Sequence, residues 1–337
     1  MNSRSRRVAK PSLETLEHRC TPAAVMTVGH SLWITGTDGA DTVTVSNQTL
    51  NQVNYVQVTE QVGAGAIKTS LFEMSALTGG NVFFFGHKGD DHFTNLSTLR
   101  LIAYGGPGND YYYSRTASFI YAGAGNNTID CSAATGVCVL DGGAGNDTIF
   151  GGTGTNFIDG GAGNDVLVGN PHGGINYING GAGDDRIYGG GGTNYLHGGD
   201  GNDTIYGGGG TNYLYGDAGN DTLIASPSST LNYMVSGTGN DVLYAGGGNN
   251  YLYGGAGHDS LIGGSGTNYL YGGSGTNYLY GGSGTNYLYD GPYGSTDYLI
   301  GGTGHNHFRE VFYFDGVAYI TRTNISNYDP MRDTLYS

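Results

Sequence analysis

From Gly142 onward, the apolar positions of the chain are single and evenly spaced, one to each block of nine residues. The blocks run Gly-Gly-x-Gly-x-(Asp/Asn)-x-(Leu/Ile)-x, as in GGAGNDTIF at Gly142 and in GGSGTNYLY, which occurs three times in tandem from Gly263. Glycine tolerates positive φ, so its first, second and fourth places predict a tight turn. The final x-apolar-x predicts a short strand with one inward side chain. Two blocks form a coil of 18 residues, and stacked coils bury a continuous apolar row.

Composition removes the simpler explanations of 66 glycines in 337 residues. Only seven prolines are present, which excludes collagen. A flexible linker would not keep an apolar residue at a fixed place in every block. A nucleotide-binding G-x-G-x-x-G loop occurs once, between a strand and a helix, whereas here the pattern recurs many times. The net charge of −15 makes the chain a poor binder of nucleic acid, because phosphate binding needs Lys and Arg.

The sixth position of the blocks alternates between two residue types with opposite chemistry. Consecutive blocks turn on opposite edges of the coil, so one residue type is expected along each edge. The aspartates are Asp147, Asp165, Asp185, Asp203, Asp221, Asp241 and Asp259. The asparagines are Asn156, Asn176, Asn194, Asn212, Asn232, Asn250 and Asn268. We call these two rows the Asp edge and the Asn edge, and each position-six residue is one rung.

A row of carboxylates at strand spacing needs a counter-charge that the chain lacks. Neighbouring coils lie about 4.8 Å apart, and at an effective dielectric of 20 two carboxylates at that separation repel by roughly 3.5 kcal/mol. Between Asp141 and Phe308 there are fourteen Asp, no Glu and one basic residue, Arg186. A hard cation that prefers oxygen ligands is the natural counter-charge, and Ca²⁺ suits flexible carbonyl-rich turns better than Mg²⁺ does.

The blocks resemble the RTX (repeat-in-toxin, hemolysin-type) nonapeptide, strongly over 142–309 and more weakly over 86–141. The resemblance implies an all-β fold, a right-handed parallel β-roll or β-helix solenoid of 18-residue coils, with β caps expected at both ends. It also implies that each Ca²⁺ lies between two successive turns of one edge, bound by Asp of both turns and by turn carbonyls. Carried over, the seven aspartates give about six complete sites. Upstream, Asp91, Asp110 and Asn127 fall on the same edge, and Asp110 is a further candidate ligand.

The Asn edge departs from the family pattern, which commonly has Asp on both edges. Stacked amides both donate and accept, so we expect a hydrogen-bonded ladder there and metal on the Asp edge alone. After Asn268 the alternation fails. Asn277 falls on the Asp edge and Asp297 returns to it, so calcium sites should become sparse in that stretch.

An aromatic residue follows most of the Asn-edge rungs and should point outward from one sheet. The favoured interpretation is a stacked ladder that stiffens the sheet. A surface that binds polysaccharide or cell-surface material is the alternative, since an exposed aromatic stripe often marks an interaction surface. Ice or mineral binding by an outward Thr row stays open as well. The aromatic row contains Tyr177, Tyr195, Tyr213, Tyr233, Tyr251 and Tyr269.

The chain divides into five predicted regions. Residues 1–30 are basic and resemble a leader of exported repeat proteins, without the apolar core of a signal peptide. Residues 31–85 are a β-region and cap, 86–141 are degenerate coils, and 142–309 form the regular roll. Residues 310–337 are a β cap or an export tail. The expected localisation is secreted or at the cell surface.

No catalytic constellation stands out, and we expect no enzyme. Asp159, on an outward strand position, is too little to support a hydrolase or lyase, which needs two tuned carboxyl groups. Cys131 and Cys138 could form a local disulfide in an exported chain or remain separate buried thiols, and Cys20 would be unpaired.

Overall fold

The computed structural model describes residues 24–291, 295 and 297–309, and the backbone of four short strands within 313–336. Nearly all of the described residues lie in strands or tight turns, with a single 3-10 turn at Met74–Leu77. The strands form a parallel β-solenoid of about 12 turns spaced by about 18 residues. The all-β solenoid predicted from the block pattern is therefore confirmed. Most of the predicted leader and the side chains of the predicted carboxy-terminal cap lie outside the described residues.

The strands follow one another along the solenoid in chain order. The first nine are β1 (Ala24–Val28), β2 (Ser31–Thr35), β3 (Asp41–Leu50), β4 (Val53–Val62), β5 (Lys68–Glu73), β6 (Asn81–Phe85), β7 (His92–Asn95), β8 (Arg100–Pro107) and β9 (Tyr111–Ser114). The next thirteen are β10 (Ser118–Ala124), β11 (Thr128–Asp130), β12 (Val137–Ala144), β13 (Thr148–Phe150), β14 (Thr155–Ala162), β15 (Val166–Asn170), β16 (Ile175–Ala182), β17 (Arg186–Gly190), β18 (Thr193–Asp200), β19 (Thr204–Ala218), β20 (Thr222–Thr238), β21 (Val242–Gly246) and β22 (Asn249–Tyr253). The last twelve are β23 (Ala256–Gly257), β24 (Ser260–Gly264), β25 (Thr267–Tyr271), β26 (Ser274–Gly275), β27 (Tyr278–Gly282), β28 (Thr285–Tyr289), β29 (Tyr298–Ile300), β30 (His305–Arg309), β31 (Tyr313–Phe314), β32 (Tyr319–Ile320), β33 (Asn324–Ser326) and β34 (Thr334–Tyr336).

The first coil forms inside the region predicted as the amino-terminal cap. β2 pairs in parallel with β6, and β3 pairs in parallel with β7, as in the later coils. Between β3 and β6 the chain leaves the solenoid through β4 and β5. β4 pairs antiparallel with β3, and β5 pairs antiparallel with β4. This excursion adds Val56, Val58 and Leu77 to the buried core.

The parallel register places equivalent block positions directly above one another. In β14 and β16, Asn156 pairs with Asn176, and in β16 and β18 Asn176 pairs with Asn194. One Leu, Ile or Met from each regular block enters the core, and these side chains are at most 3% exposed. The amino-terminal coils carry larger side chains in the same layer, including Phe84, Phe93 and the fully buried Tyr112.

Candidate metal centre on the aspartate edge

The rungs of the Asp edge are joined by hydrogen bonds from backbone to side chain. The backbone N–H of Asp147 donates to Oδ1 of Asp165 at 2.7 Å, and that of Asp165 donates to Oδ1 of Asp185 at 2.7 Å. The same bond links every successive pair of rungs from the first coil to the last described one. The rungs are Asp41, Asp91, Asp110, Asn127, Asp147, Asp165, Asp185, Asp203, Asp221, Asp241, Asp259, Asn277 and Asp297.

The second carboxylate oxygen, Oδ2, is the unusual atom of this edge. At eight rungs it is buried and has no hydrogen-bond partner among the described residues. A buried acceptor left without a donor costs roughly 1–3 kcal/mol, and more when it is charged. The eight rungs are the eight candidate ligands predicted from the sequence, namely Asp110, Asp147, Asp165, Asp185, Asp203, Asp221, Asp241 and Asp259.

Each unpaired oxygen faces a small space beneath the first glycine of its own block. A methyl group built on Gly142 would lie 2.3 Å from Oδ2 of Asp147 and 2.7 Å from the carbonyl oxygen of Gly160 in the next coil. We call this space the cradle of a rung. Two oxygens border it, so a Cβ at Gly142 would strike one of them. Equivalent cradles lie under Gly160, Gly180, Gly198 and Gly216, with Oδ2 at 2.2–2.4 Å.

The Asn edge repeats the same block, but an amide nitrogen there donates to the carbonyl of the next coil. Nδ2 of Asn176 donates to the carbonyl oxygen of Gly189 at 3.0 Å and to Oδ1 of Asn194 at 2.8 Å. The amide ladder predicted from the sequence is confirmed, and it extends beyond Asn268. Its members are Asn156, Asn176, Asn194, Asn212, Asn232, Asn250, Asn268, Asn286 and Asn306.

Asn127 is an asparagine rung on the Asp edge, so it can be compared directly with the aspartate rungs beside it. Its Oδ1 accepts from the backbone of Asp110, as an aspartate would, but its Nδ2 donates to the carbonyl oxygen of Gly142 at 3.2 Å. In the next coil, Oδ2 of Asp147 takes the place of that Nδ2 and faces the carbonyl of Gly160. The two oxygens therefore need a proton or a cation between them.

Burial makes the ionised carboxylates costly. It raises the pKa of Asp185, Asp221 and Asp259 to about 7, and that of Asp147 and Asp203 to about 6. The N–H donated by the preceding rung lowers each pKa, and repulsion from neighbouring carboxylates raises it again. These carboxyls are thus poised to accept a proton or a bound cation near neutral pH.

The donor set fits a hard cation held partly by the main chain. Over residues 24–291, 295 and 297–309, no three His, Cys, Asp or Glu side chains converge as a metal-binding cluster. A cation bound to Oδ2 would therefore take its other ligands from carbonyl oxygens of the turns and from water. Ca²⁺ accepts that mixture, since it takes about six to eight oxygens, carbonyls among them, in flexible geometry.

Comparison with known families decides between the candidate cations. The model of the RTX calcium-binding nonapeptide repeat, four copies long, matches residues 117–130, 139–170, 172–205, 188–223, 231–261 and 254–288. The chain is an RTX calcium-binding repeat protein. Its repeats are of a calcium-binding type, and calcium is their ion. No curated protein matches the chain.

The turns of the Asp edge contain a second ladder of hydrogen bonds, which the sequence analysis did not predict. The position-five side chain, one residue before each Asp-edge rung, accepts from the position-five backbone N–H of the following coil. Asn146 Oδ1 accepts from Asn164, and Asn164 Oδ1 accepts from Asp184, at 2.7 and 2.8 Å. This ladder is exposed and runs opposite to the ladder of the rungs. The recurring Asn-Asp pair of the sequence, as in Asn146-Asp147, is the signal that could have revealed it.

On the sheet that follows the Asn edge, the aromatic residues of the RTX roll form two columns where the sequence predicted one. The position-seven rings stack with centroids 4.7–5.0 Å apart and planes within 6° of parallel in two runs. The runs are Phe157, Tyr177, Tyr195 and Tyr213, and then Tyr251, Tyr269 and Tyr287. Position nine adds a second column that includes Tyr215, Tyr253, Tyr271 and Tyr289. Tyr233 leaves the first column and leans between Tyr215 and Tyr253 of the second, where its own coil has Val235 in place of a ring.

Three other sequence features have clear positions in the structure. Cys131 and Cys138 are free and buried, and their thiols interact with each other. Asp159 is not isolated, because it lies in register with Asp141 and accepts from Asn179 at 2.9 Å. In the described part of the chain, no helix is long and apolar enough to cross a membrane.

Proposed function

We propose that the protein is a secreted or cell-surface structural protein in which calcium completes the roll after export. The observation that carries the proposal is the row of buried Oδ2 atoms, from Asp147 to Asp259, that find no hydrogen-bond donor within the described part of the chain. Each would bind Ca²⁺ together with carbonyls of its own and the next turn. The row has room for about six inter-turn sites, because seven aspartates stand in register.

Folding would depend on calcium because the roll has little else to oppose the repulsion of its rungs. One buried Leu or Ile in nine residues gives each coil a thin apolar core. Ionised rungs repel their neighbours and lose hydration on burial, which together favour an open chain. Bound Ca²⁺ supplies the positive charge that this part of the chain lacks.

Export fits the same chemistry. Inside a cell, free Ca²⁺ is scarce and the repulsion would keep the roll open. Outside, extracellular-type sites have dissociation constants of about 10⁻⁴–10⁻³ M and fill at millimolar calcium. The basic segment 1–30 is the proposed leader, and the five predicted regions remain proposals as boundaries.

Calcium titration followed by far-UV circular dichroism tests the coupling. We expect strand signal to rise with calcium and to fall when a chelator is added. A triple variant with Asp185, Asp203 and Asp221 changed to Asn should lose much of this response. Asp159→Asn, on the exposed sheet face, is the matched control and should keep it. A spectrum and a melting temperature unaffected by chelator would refute the coupling.

The adhesion alternative has less support from the arrangement of the rings. Each stacked ring covers the face of its neighbour, as in Tyr195 and Tyr213 at 4.8 Å, so the columns offer edges and hydroxyls rather than faces on which a sugar could stack. The discriminating variant replaces Tyr213, Tyr233 and Tyr251 with Ser. Adhesion predicts that this variant loses retention on polysaccharide while calcium binding is preserved.

A further inference from the structure

One rung of the regular Asp edge differs from its neighbours at the first position of its block. Ser236 stands where the seven other blocks of this edge from Gly142 to Asn277 have Gly. It is fully buried, and its hydroxyl donates to the carbonyl oxygen of Gly254 in the next coil. That carbonyl borders the cradle of Asp241 just as the Gly160 carbonyl borders the cradle of Asp147. Burial raises the pKa of the Asp241 carboxyl, and the nearby Ser236 hydroxyl offsets part of that rise.

A second hydroxyl reaches a cradle in the amino-terminal coils, from the opposite direction. Tyr112 occupies the inward position that Leu or Ile fills in the regular blocks, and its ring is completely buried. A methyl group built on Gly105 would lie 2.4 Å from Asp110 Oδ2, 2.5 Å from Tyr112 Oη and 2.2 Å from the carbonyl oxygen of Ala122. Neither Tyr112 Oη nor Asp110 Oδ2 has a hydrogen-bond partner among the described residues. Three oxygens, one of which carries a proton, thus surround this cradle.

We propose that the hydroxyls of Ser236 and Tyr112 take the place of calcium at the Asp241 and Asp110 rungs. The proposal rests on the proposed function, because it assumes that the other rungs bind Ca²⁺. A hydroxyl group can rotate and donate its proton to either of two facing oxygens. One O–H therefore separates the two oxygens that a cation would separate at the other rungs. The side chain also fills the space, which leaves no room for an ion with ligand distances of about 2.3–2.6 Å.

The neighbouring rungs agree with this assignment. Ala122 stands at the first position of the block whose rung is Asn127, and its buried methyl fills the cradle there. Asn127 needs no ion, since its amide already donates to the Gly142 carbonyl. A side chain at the first position therefore accompanies a rung that is neutralised within the chain. The uninterrupted calcium row would run from Asp147 to Asp221.

The test counts calcium ions bound per chain, by isothermal calorimetry and equilibrium dialysis on the full-length protein. Ser236→Gly restores the regular block and should bind one more Ca²⁺ than the wild type. Ser236→Ala is the matched control, because it removes the hydroxyl but leaves a methyl in the cradle, and it should gain none. Tyr112→Phe keeps the ring in the core and should also gain one ion. Circular dichroism in calcium checks that each variant is folded.

A double-mutant comparison locates the gained ion. Asp241→Asn should leave the count of the wild type unchanged, but it should abolish the ion gained by Ser236→Gly. Asp203→Asn should lower the count in either background. If Ser236→Gly binds the same number of ions or fewer, the hydroxyl is a ligand or a bystander and the proposal is wrong, although calcium binding by the roll would stand. If the wild type binds no calcium, the proposed function falls and this proposal with it.

Discussion

The two edges of the roll repeat the same nine-residue block, and at each rung one edge carries an amide NH₂ where the other carries a carboxylate oxygen. On the Asn edge, Nδ2 of Asn176 meets the carbonyl of Gly189 and forms a hydrogen bond. On the Asp edge, Oδ2 of Asp165 meets the carbonyl of Gly180 and forms none. The Asn edge is therefore complete as folded, whereas the Asp edge needs a proton or a metal ion. A replacement of NH₂ by O, repeated in register, is enough to turn a structural ladder into a row of candidate metal sites.

The largest expected difference between the two edges is in how pH changes the stability of the roll, because pH acts on many Asp-edge rungs together. The folded pKa of Asp185, Asp221 and Asp259 is raised to about 7, above the unfolded value. The metal-free roll then binds more protons than the unfolded chain, so its stability is present at low pH and is lost as the pH rises through the folded pKa. In chelator, we expect a higher melting temperature at pH 5 than at pH 8.

Saturating calcium should reverse that trend, since protons compete with the ion for the same oxygens. The Asn edge has no titrating rung and contributes nothing to either slope. A melting temperature in chelator that rises with pH would contradict the assignment of the unpaired Oδ2 atoms as the destabilising groups.

The next largest effect should follow from placing a carboxylate on the Asn edge. Asn212→Asp removes the amide that donates to Asn232 Oδ1 and to the carbonyl of Gly208. Asn194 still donates to Oδ1, but the carboxylate oxygen that replaces Nδ2 would be buried without a donor, which should lower the free energy of unfolding by roughly 3 kcal/mol or more. Urea denaturation in chelator measures it. Asn146→Asp, at the exposed position five, is the control and should change stability by less than about 0.5 kcal/mol. Equal losses in the two variants would mean that burial at the edge is not the cause.

The converse substitution should have a sign that depends on calcium. Asp203→Asn supplies a donor to the cradle that Asp203 Oδ2 leaves unsatisfied. In chelator we expect it to stabilise the roll by about 1–3 kcal/mol, and in calcium to destabilise it by removing a ligand. Urea denaturation in both conditions measures the two signs. The same sign in both conditions would contradict the comparison of the edges.

The smallest effect on stability should come from the aromatic columns, which lie on the sheet between the two edges. Tyr251→Ser removes a ring stacked on Tyr269 at 4.9 Å and should cost about 1 kcal/mol with or without calcium. Tyr244→Ser, on the opposite sheet and 45% exposed, is the control and should cost less. Thermal melts of both variants measure the difference, and a loss seen only in chelator would tie the columns to the metal rather than to the sheet.

Much of this architecture could be predicted because the sequence repeats a turn-and-strand block with one inward residue. The two edges followed from the alternation at position six, and the amide ladder followed from the chemistry of Asn. Position nine was harder, because His197, Tyr215 and Val235 vary there. Their alignment in one column is a consequence of coil register, which single blocks do not reveal.

The cradles and their exceptions could not be predicted, because they depend on contacts between coils. Ser236 looks like a conservative change from Gly until its hydroxyl is placed against the carbonyl of Gly254. Tyr112 looks like an ordinary core residue until its hydroxyl is seen beside Asp110. Three-dimensional register, rather than block composition, decides which rungs are complete.

We propose that metal binds along the Asp edge only, at the unpaired Oδ2 atoms. Anomalous scattering from crystals grown in millimolar CaCl₂ tests it most directly, because it locates each ion without assuming its ligands. We expect anomalous peaks beside Oδ2 of Asp147, Asp165, Asp185, Asp203 and Asp221, and none along the Asn edge. Peaks on both edges, or an Asp edge without any, would contradict the account.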